Sequence, residues 1–302
     1  MKEGPGISEQ GEGVTSRFIH ALAVHRELSP KTLKEYASDL KHFIAWCETV
    51  DGPGEAIHIE RIATSTLVRY REAMQMDMEL KPATVNRRLV TLKRFFDWAA
   101  AEGTIGEDPS KSVKLVPEPR TSPRQMTDQE ESALLAATRR LGSLRDQTIV
   151  CVMLHTGLRP MEICDLLPGD IRISDVGSCL TVRSGLRNKS REVPLNAVCQ
   201  AALTDYLAKR PAEASYLFAS EKTGARLTER ALRHLIQKYM KAARLEGLRA
   251  HDLRHRFGYV MAANIALHRL SQMMGHDHVH TTMIYSKTTR GELQAETVET
   301  TG

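Results

Sequence analysis

Three short stretches carry residues suited to phosphoryl chemistry. Thr156-Gly-Leu-Arg-Pro-Met-Glu-Ile163 places Arg159 just before Pro160. Proline is favoured at the first position of a helix, where its missing N–H is harmless, so Arg159 stands at a helix N-terminus. A guanidinium added to the positive end of a helix makes an anion site. Glu162, three residues on, is close enough to steady it. Taken alone, the pair also reads as a surface ion pair. His251-Asp-Leu-Arg-His255 puts His251 and Arg254 at i and i+3, able to face one anion. There the imidazole can move a proton and the guanidinium can hold a phosphoryl oxygen. His251 and His255 also form H-x-x-x-H, but without an H-E-x-x-H pattern or a nearby cysteine set a zinc site is discounted. Gly275-His276 precedes Tyr285. A tyrosine hydroxyl can attack phosphorus, yet its ordinary pKa of about 10 demands strong electrostatic help, which two arginines and a histidine can supply. The bland alternative for Tyr285 is a half-buried amphipathic side chain.

The elements that must position these groups read as mainly helical. Arg17 begins an apolar stripe through Phe18, Ile19 and Leu22. Ser29-Pro30 opens a second helix, Thr64-Ser65 can cap a third, and Lys81-Pro82 opens a fourth with Val85, Leu89, Leu92, Phe95 and Phe96 on its apolar face. That fourth helix carries Lys81, Arg87, Arg88, Lys93 and Arg94, which read either as a solvated face or as phosphate contacts on duplex DNA. Residues 107–125 hold four prolines between Asp108 and Pro123 and no periodicity, and read as a linker. Thr127 with Glu130 forms a capping box that starts the second domain. Short β signals at Ile171–Ile173, Leu180–Val182 and Glu192–Leu195 interrupt an otherwise helical remainder. The expected domains are therefore a disordered leader at 1–16, an all-helical unit at 17–106, a linker at 107–125, and a mostly α unit with one small antiparallel sheet at 126–302.

Composition bounds the partners. The chain has 302 residues, 41% hydrophobic and 26% charged, which excludes a disordered or collagen-like protein. A formal net charge of +5 permits nucleic acid without requiring it. Five cysteines with no C-x-x-C pair argue against a disulfide framework and for a reducing cytoplasm. No apolar run reaches the roughly 18 residues of a membrane span, and the polar start has no signal-peptide character.

Taken together and in this order, TGLRPMEI, REVPLN, HDLRHRFG and MGHDHVHTTMIY resemble the tyrosine recombinases of the phage integrase family, most closely the compact Xer-like and transposon-resolvase members. The resemblance runs from Arg17 through Tyr285. It implies an all-helical, SAM-like core-binding domain joined to a catalytic domain, and strand cleavage and rejoining without metal or energy cofactor. Carried to the matching positions, it implies that Tyr285 forms a 3′-phosphotyrosyl bond and that Arg159 and Arg254 bind the non-bridging oxygens. His251 would move a proton, His276 would hydrogen-bond the phosphate or the nucleophile, and Glu162 would support them. It further implies double-stranded DNA with paired half-sites, a homotetramer on that DNA, and roles in resolving or integrating DNA, transposition included. With about 16 residues before the first helix, no arm-binding domain is expected.

One position departs from the family pattern. Its hairpin reads G-K-G-x-K-x-R before V-P-L, and the first lysine protonates the leaving 5′ oxygen. Here Leu186 falls at that lysine, and an alkyl chain cannot donate a proton. Lys189 could swing in as the acid, Arg187 could substitute despite its very high pKa, or the chain is an impaired enzyme or a non-catalytic DNA-binding protein on the same fold. A site-indifferent topoisomerase of the same chemistry is a further reading.

Overall fold

The computed structural model describes residues 6–25, 28–50, 56–118, 124–174, 176–183, 190–276, 278 and 281–285. The chain divides into two compact units, Met1–Arg120 and Thr121–Gly302.

Unit 1 is built from α1 (Glu9–His25), α2 (Pro30–Val50), α3 (Thr64–Met76) and α4 (Pro82–Ala101). Local signals set several boundaries. Ser29 Oγ accepts from the Thr32 N–H at 3.1 Å, and prolines occupy the first positions of α2 and α4. Thr64 is the first residue of α3 rather than its cap; its hydroxyl donates to the Pro109 carbonyl at 2.8 Å. The apolar stripes meet in an aromatic core of Phe18, Phe43, Tyr70, Phe95 and Phe96, with Phe18 edge-on to Phe95 at 5.4 Å.

Two of the expected boundaries need correction. The first helix begins at Glu9, so residues 9–16 are not a disordered leader. Ser8 accepts from the Gly11 N–H at 3.1 Å, and its own N–H donates to Glu48 at 3.0 Å. A Cβ on Gly11 would come within 2.8 Å of Ile44, so this glycine lets α1 approach α2 closely, and Val14 and Thr15 are buried. The first part of the expected linker is likewise packed. Val113 is buried, Asn86 exchanges two hydrogen bonds with the Val116 backbone at 2.8 and 2.9 Å, and Ser110 bonds Asp108.

Unit 2 opens with α5 (Asp128–Leu141) and α6 (Leu144–Thr156). Thr127 and Glu130 make the reciprocal capping bonds at 3.2 and 3.0 Å. Helix α6 is buried on nearly every side from Ile149 to Leu154, which is why its sequence is apolar without a polar stripe. A short α7 (Pro160–Asp165) follows. Then β1 (Ile171–Arg172), β2 (Cys179–Val182) and β3 (Arg191–Pro194) form an antiparallel sheet in that order, with Leu180 opposite Val193. Next come α8 (Ala197–Lys209), α9 (Glu229–Ala242), α10 (Ala250–Ala262) and α11 (Leu267–Met274). Phe257, Tyr259, Leu270, Met274 and Tyr285 make a small second core under α10 and α11. Among the described residues, no helix is long and apolar enough to cross a membrane.

The chain's two tryptophans, Trp46 and Trp98, both lie in unit 1, so tryptophan fluorescence follows that unit alone. Deleting residues 1–16 should destabilise it by about 2 kcal/mol or more in urea titrations, since burying a valine-sized side chain such as Val14 contributes about 1.5–3 kcal/mol. An unchanged midpoint would return those residues to a passive leader.

Candidate active site

The site begins where α6 ends. Gly157 adopts a left-handed conformation (φ 62°), and a Cβ there would lie 2.3 Å from the Phe257 ring, so only glycine fits this turn. The turn delivers Arg159 to the start of α7. Glu162 accepts the Arg159 backbone N–H at 2.8 Å and its guanidinium at 3.0 Å. From the sheet side, Arg191 of β3 donates two bonds to the same carboxylate, both at 2.8 Å. Burial raises the Glu162 pKa, but the Arg191 bonds and charge, joined by Arg159, outweigh it and hold the carboxyl below its ordinary range.

The other anchor is the C-terminal turn of α11, whose three successive carbonyls each accept from a different arginine. Arg191 Nε donates to Met273 at 2.8 Å, Arg254 to Met274 at 2.9 Å, and Arg159 to Gly275 at 2.6 Å. Gly275 closes the turn at φ 67°, and a Cβ there would meet the Arg191 guanidinium at 2.7 Å. Arg254 also donates to the Gly157 carbonyl at 2.6 Å and is only 2% exposed. Desolvation, followed by the Arg159 charge, lowers its pKa to about 10, leaving it a cation at neutral pH. Three guanidiniums thus share one carboxylate and a helix end worth about half a charge. The excess positive charge is suited to an anion, and Arg159, with 28% of its side chain exposed, is the arginine that faces outward.

Histidines border this cluster. Burial and then Arg254 lower the His251 pKa, and burial followed by the three arginines takes His276 down to about 4. His276 Nδ1 lies 2.8 Å from the Thr282 hydroxyl, and its ring lies nearly parallel to Tyr285 at 6.5 Å. Tyr285 is 1% exposed. Burial pushes its hydroxyl up to about 12, against the pull of Arg254. Its oxygen lies 3.0 Å from His255 Nδ1.

Arg159, Glu162, His251, Arg254, His276 and Tyr285 therefore gather in unit 2. Lys189, Arg187 and Leu186 lie outside the described residues. The α4 cations do not form one face. Arg87 pairs with the buried Asp39 carboxylate, Arg88 donates to His42 at 2.9 Å, and Arg94 bonds and covers Tyr36. Lys93 donates to the Ser110 carbonyl, while Lys81 is exposed at the helix start. Arg87, Arg88, Lys93 and Arg94 thus each have a partner within unit 1.

Sequence reasoning missed Arg191, His255 and the outer face of α9. Arg191 opens the REVPLN stretch, but its partner is 29 residues away. Arg230, Arg233, His234, Gln237 and Lys241 are exposed at helical spacing on α9, a pattern readable from the sequence. Arg233, His234 and Gln237 join Arg249 and His251 around an open cleft of about 520 Å³.

A buried arginine cluster beside a tyrosine and neutral histidines makes a cationic centre suited to an anion. The family model described as "Phage integrase family" matches residues 124–292, and "Phage integrase, N-terminal SAM-like domain" matches 15–103. Tyrosine recombinase XerD of Ralstonia nicotianae is 30% identical, over 92% of this chain and 90% of that protein. Tyrosine recombinase XerC of Caldanaerobacter subterraneus subsp. tengcongensis is 27% identical, over 93% and 84%. Among solved structures, a XerH site-specific recombinase in a post-cleavage complex with palindromic difH substrate superposes with a TM-score of 0.74 at 17% identity, covering 98% of this chain and 99% of that one. A lambda integrase dimer bound to a COC' core site gives 0.71 at 18%, covering 91% and 76%. The chain belongs to the phage integrase family, the tyrosine recombinases.

Gly275→Ala should destabilise unit 2 by about 1–2 kcal/mol for the left-handed backbone alone, read by circular dichroism in urea; a loss under about 0.5 kcal/mol would contradict this role. Glu162 supplies a pH signature. Its folded pKa lies below the ordinary value of 4.5, so its stabilisation is complete above pH 4.5 and is lost as pH falls through the folded value. The stability gap between wild type and Glu162→Gln should therefore narrow on acidification below 4.5. A gap independent of pH would contradict the ionised assignment.

Proposed function

We propose that this chain carries out site-specific recombination with Tyr285 as its nucleophile and the Arg159–Arg254 pair as its phosphate site. The observation that carries the reading is the surplus of guanidinium charge over carboxylate beside Tyr285. Arg159 and Arg254 bind the non-bridging oxygens of a DNA phosphodiester and stabilise the pentacoordinate transition state. Tyr285 attacks phosphorus, giving its phenolic proton to neutral His251, and the 5′ oxygen leaves with a proton from Lys189. The 3′-phosphotyrosyl bond retains the energy of the broken linkage. The 5′-hydroxyl of a partner strand then attacks it, releasing Tyr285. His276 supports the nucleophile, and the α9 face tracks the duplex. DNA with two half-sites and a tetramer of this chain complete the exchange, which takes place in the cytoplasm; the DNA-bound relatives support that assembly by analogy of fold.

Nicked suicide duplexes should yield an SDS-stable adduct with wild type and none with Tyr285→Phe. Arg159→Ala or Arg254→Ala should slow adduct formation by about 10²–10³. A full adduct yield from Tyr285→Phe would overturn the nucleophile assignment. On intact duplex, Lys189→Ala should slow cleavage by about 10²–10⁴; an unchanged rate would remove Lys189 as the acid. Leu186 favours a second reading, a DNA-binding protein without cleavage, in which only Leu186→Lys yields adduct. For the α9 face, Arg233→Ala should reduce the slope of log binding constant against log salt by about 1. An unaltered slope would place the DNA elsewhere.

A further inference from the structure

Tyr285 as the nucleophile raises a difficulty: its hydroxyl is covered. The ring lies on Gly258, where a Cβ would come within 2.5 Å of it. Tyr259 packs edge-on at 5.0 Å, and Phe257, Leu270 and Met274 complete the enclosure. At 1% exposure, this tyrosine cannot reach a phosphate on a duplex without moving.

The hydroxyl has a definite holder. His255 Nδ1 lies 3.0 Å from it, one residue beyond Arg254 on α10. The His251 ring stands edge-on to His255 at 4.7 Å. Burial, then His251 and Arg254, take His255 down to about 4 against the pull of Asp252, so its imidazole is neutral. The phenol, pushed up to about 12, is neutral too, and with the imidazole proton on Nε2 it donates to Nδ1. With the imidazole a weaker base and the phenol a weaker acid than usual, proton transfer within this pair is disfavoured, so His255 holds the hydroxyl and does not ionise it.

We propose that His255 is a positioning residue that seats the Tyr285 hydroxyl in a covered resting place, from which it is released toward Arg159 and Arg254 when a DNA phosphate is bound. The proposal rests on Tyr285 being the nucleophile. Before cleavage the seat shields the phenol from solvent and keeps it protonated. Once the hydroxyl moves beside the arginines, their charge favours its ionised form.

The test uses the full chain without DNA. Tyrosines are nitrated with tetranitromethane and mapped by peptide mass spectrometry, with half-exposed Tyr216 as the internal reference. His255→Leu should label Tyr285 at least about tenfold faster than wild type. His255→Asn, which places an acceptor oxygen near the position of Nδ1, should stay within about threefold; losing one net hydrogen bond of about 0.5–1.5 kcal/mol is worth about 2- to 13-fold, so the Leu variant should stand clearly above the Asn variant. On the nicked duplex, His255→Leu should form adduct about fivefold faster, as release from the seat no longer opposes attack. Unchanged labelling in His255→Leu, or slower adduct formation, overturns the proposal. If the Leu variant does not fold, His255→Phe removes the same acceptor and is read the same way. No adduct from wild type and none from Leu186→Lys would instead overturn the nucleophile reading, which the labelling does not depend on.

Discussion

The C-terminal turn of α11 is the constraint on which the site depends. A helix end leaves carbonyls without intrahelical partners, and here three in a row are satisfied by Arg191, Arg254 and Arg159. The arginines come from β3, α10 and the start of α7, so one turn fixes elements far apart in sequence. Burying guanidiniums is unfavourable unless they are hydrogen-bonded. Carbonyls meet that need without cancelling the charge, and Glu162 neutralises only part of it. The result is a rigid, cationic pocket built before any ligand arrives, the kind of preorganisation that stabilises a transition state at little reorganisation cost.

Burial, reinforced by the same charge, sets the state of the neighbouring histidines. It keeps His276 and His251 neutral at physiological pH, available to accept hydrogen bonds or a proton. Tyr285 lies within the field of Arg254, yet burial dominates and the hydroxyl stays protonated. The structure therefore holds a charged arginine cluster and a shielded tyrosine side by side.

What the sequence revealed followed the range of the interactions. Caps close within one turn, so Ser29-Pro30, Lys81-Pro82 and Thr127 with Glu130 marked helix starts correctly, and the i to i+3 spacing of Arg159 and Glu162 gave a real ion pair. Thr64 was misplaced by one position because its hydroxyl is drawn to Pro109, 45 residues away. Gly11 looked like part of a loose leader because close helix packing and disorder both favour glycine. The partner of Arg87 on α4 was not legible because Asp39, the carboxylate that engages it, lies 48 residues upstream. His255 was visible in its motif, but its contact with Tyr285 arises only when the chain returns 30 residues later. Family motifs marked Arg159 and Arg254, whereas the carbonyl turn that holds them is a property of backbone geometry that no residue pattern displays.

The assignment of the site turns on where the phosphate sits. The decisive measurement is a crystal structure of the full chain trapped as a covalent adduct on a nicked duplex. The account predicts a phosphotyrosyl group on Tyr285, with its non-bridging oxygens about 3 Å from the guanidiniums of Arg159 and Arg254 while both still hold the α11 carbonyls. A phosphate bound away from those arginines, or carried by another residue, would contradict it.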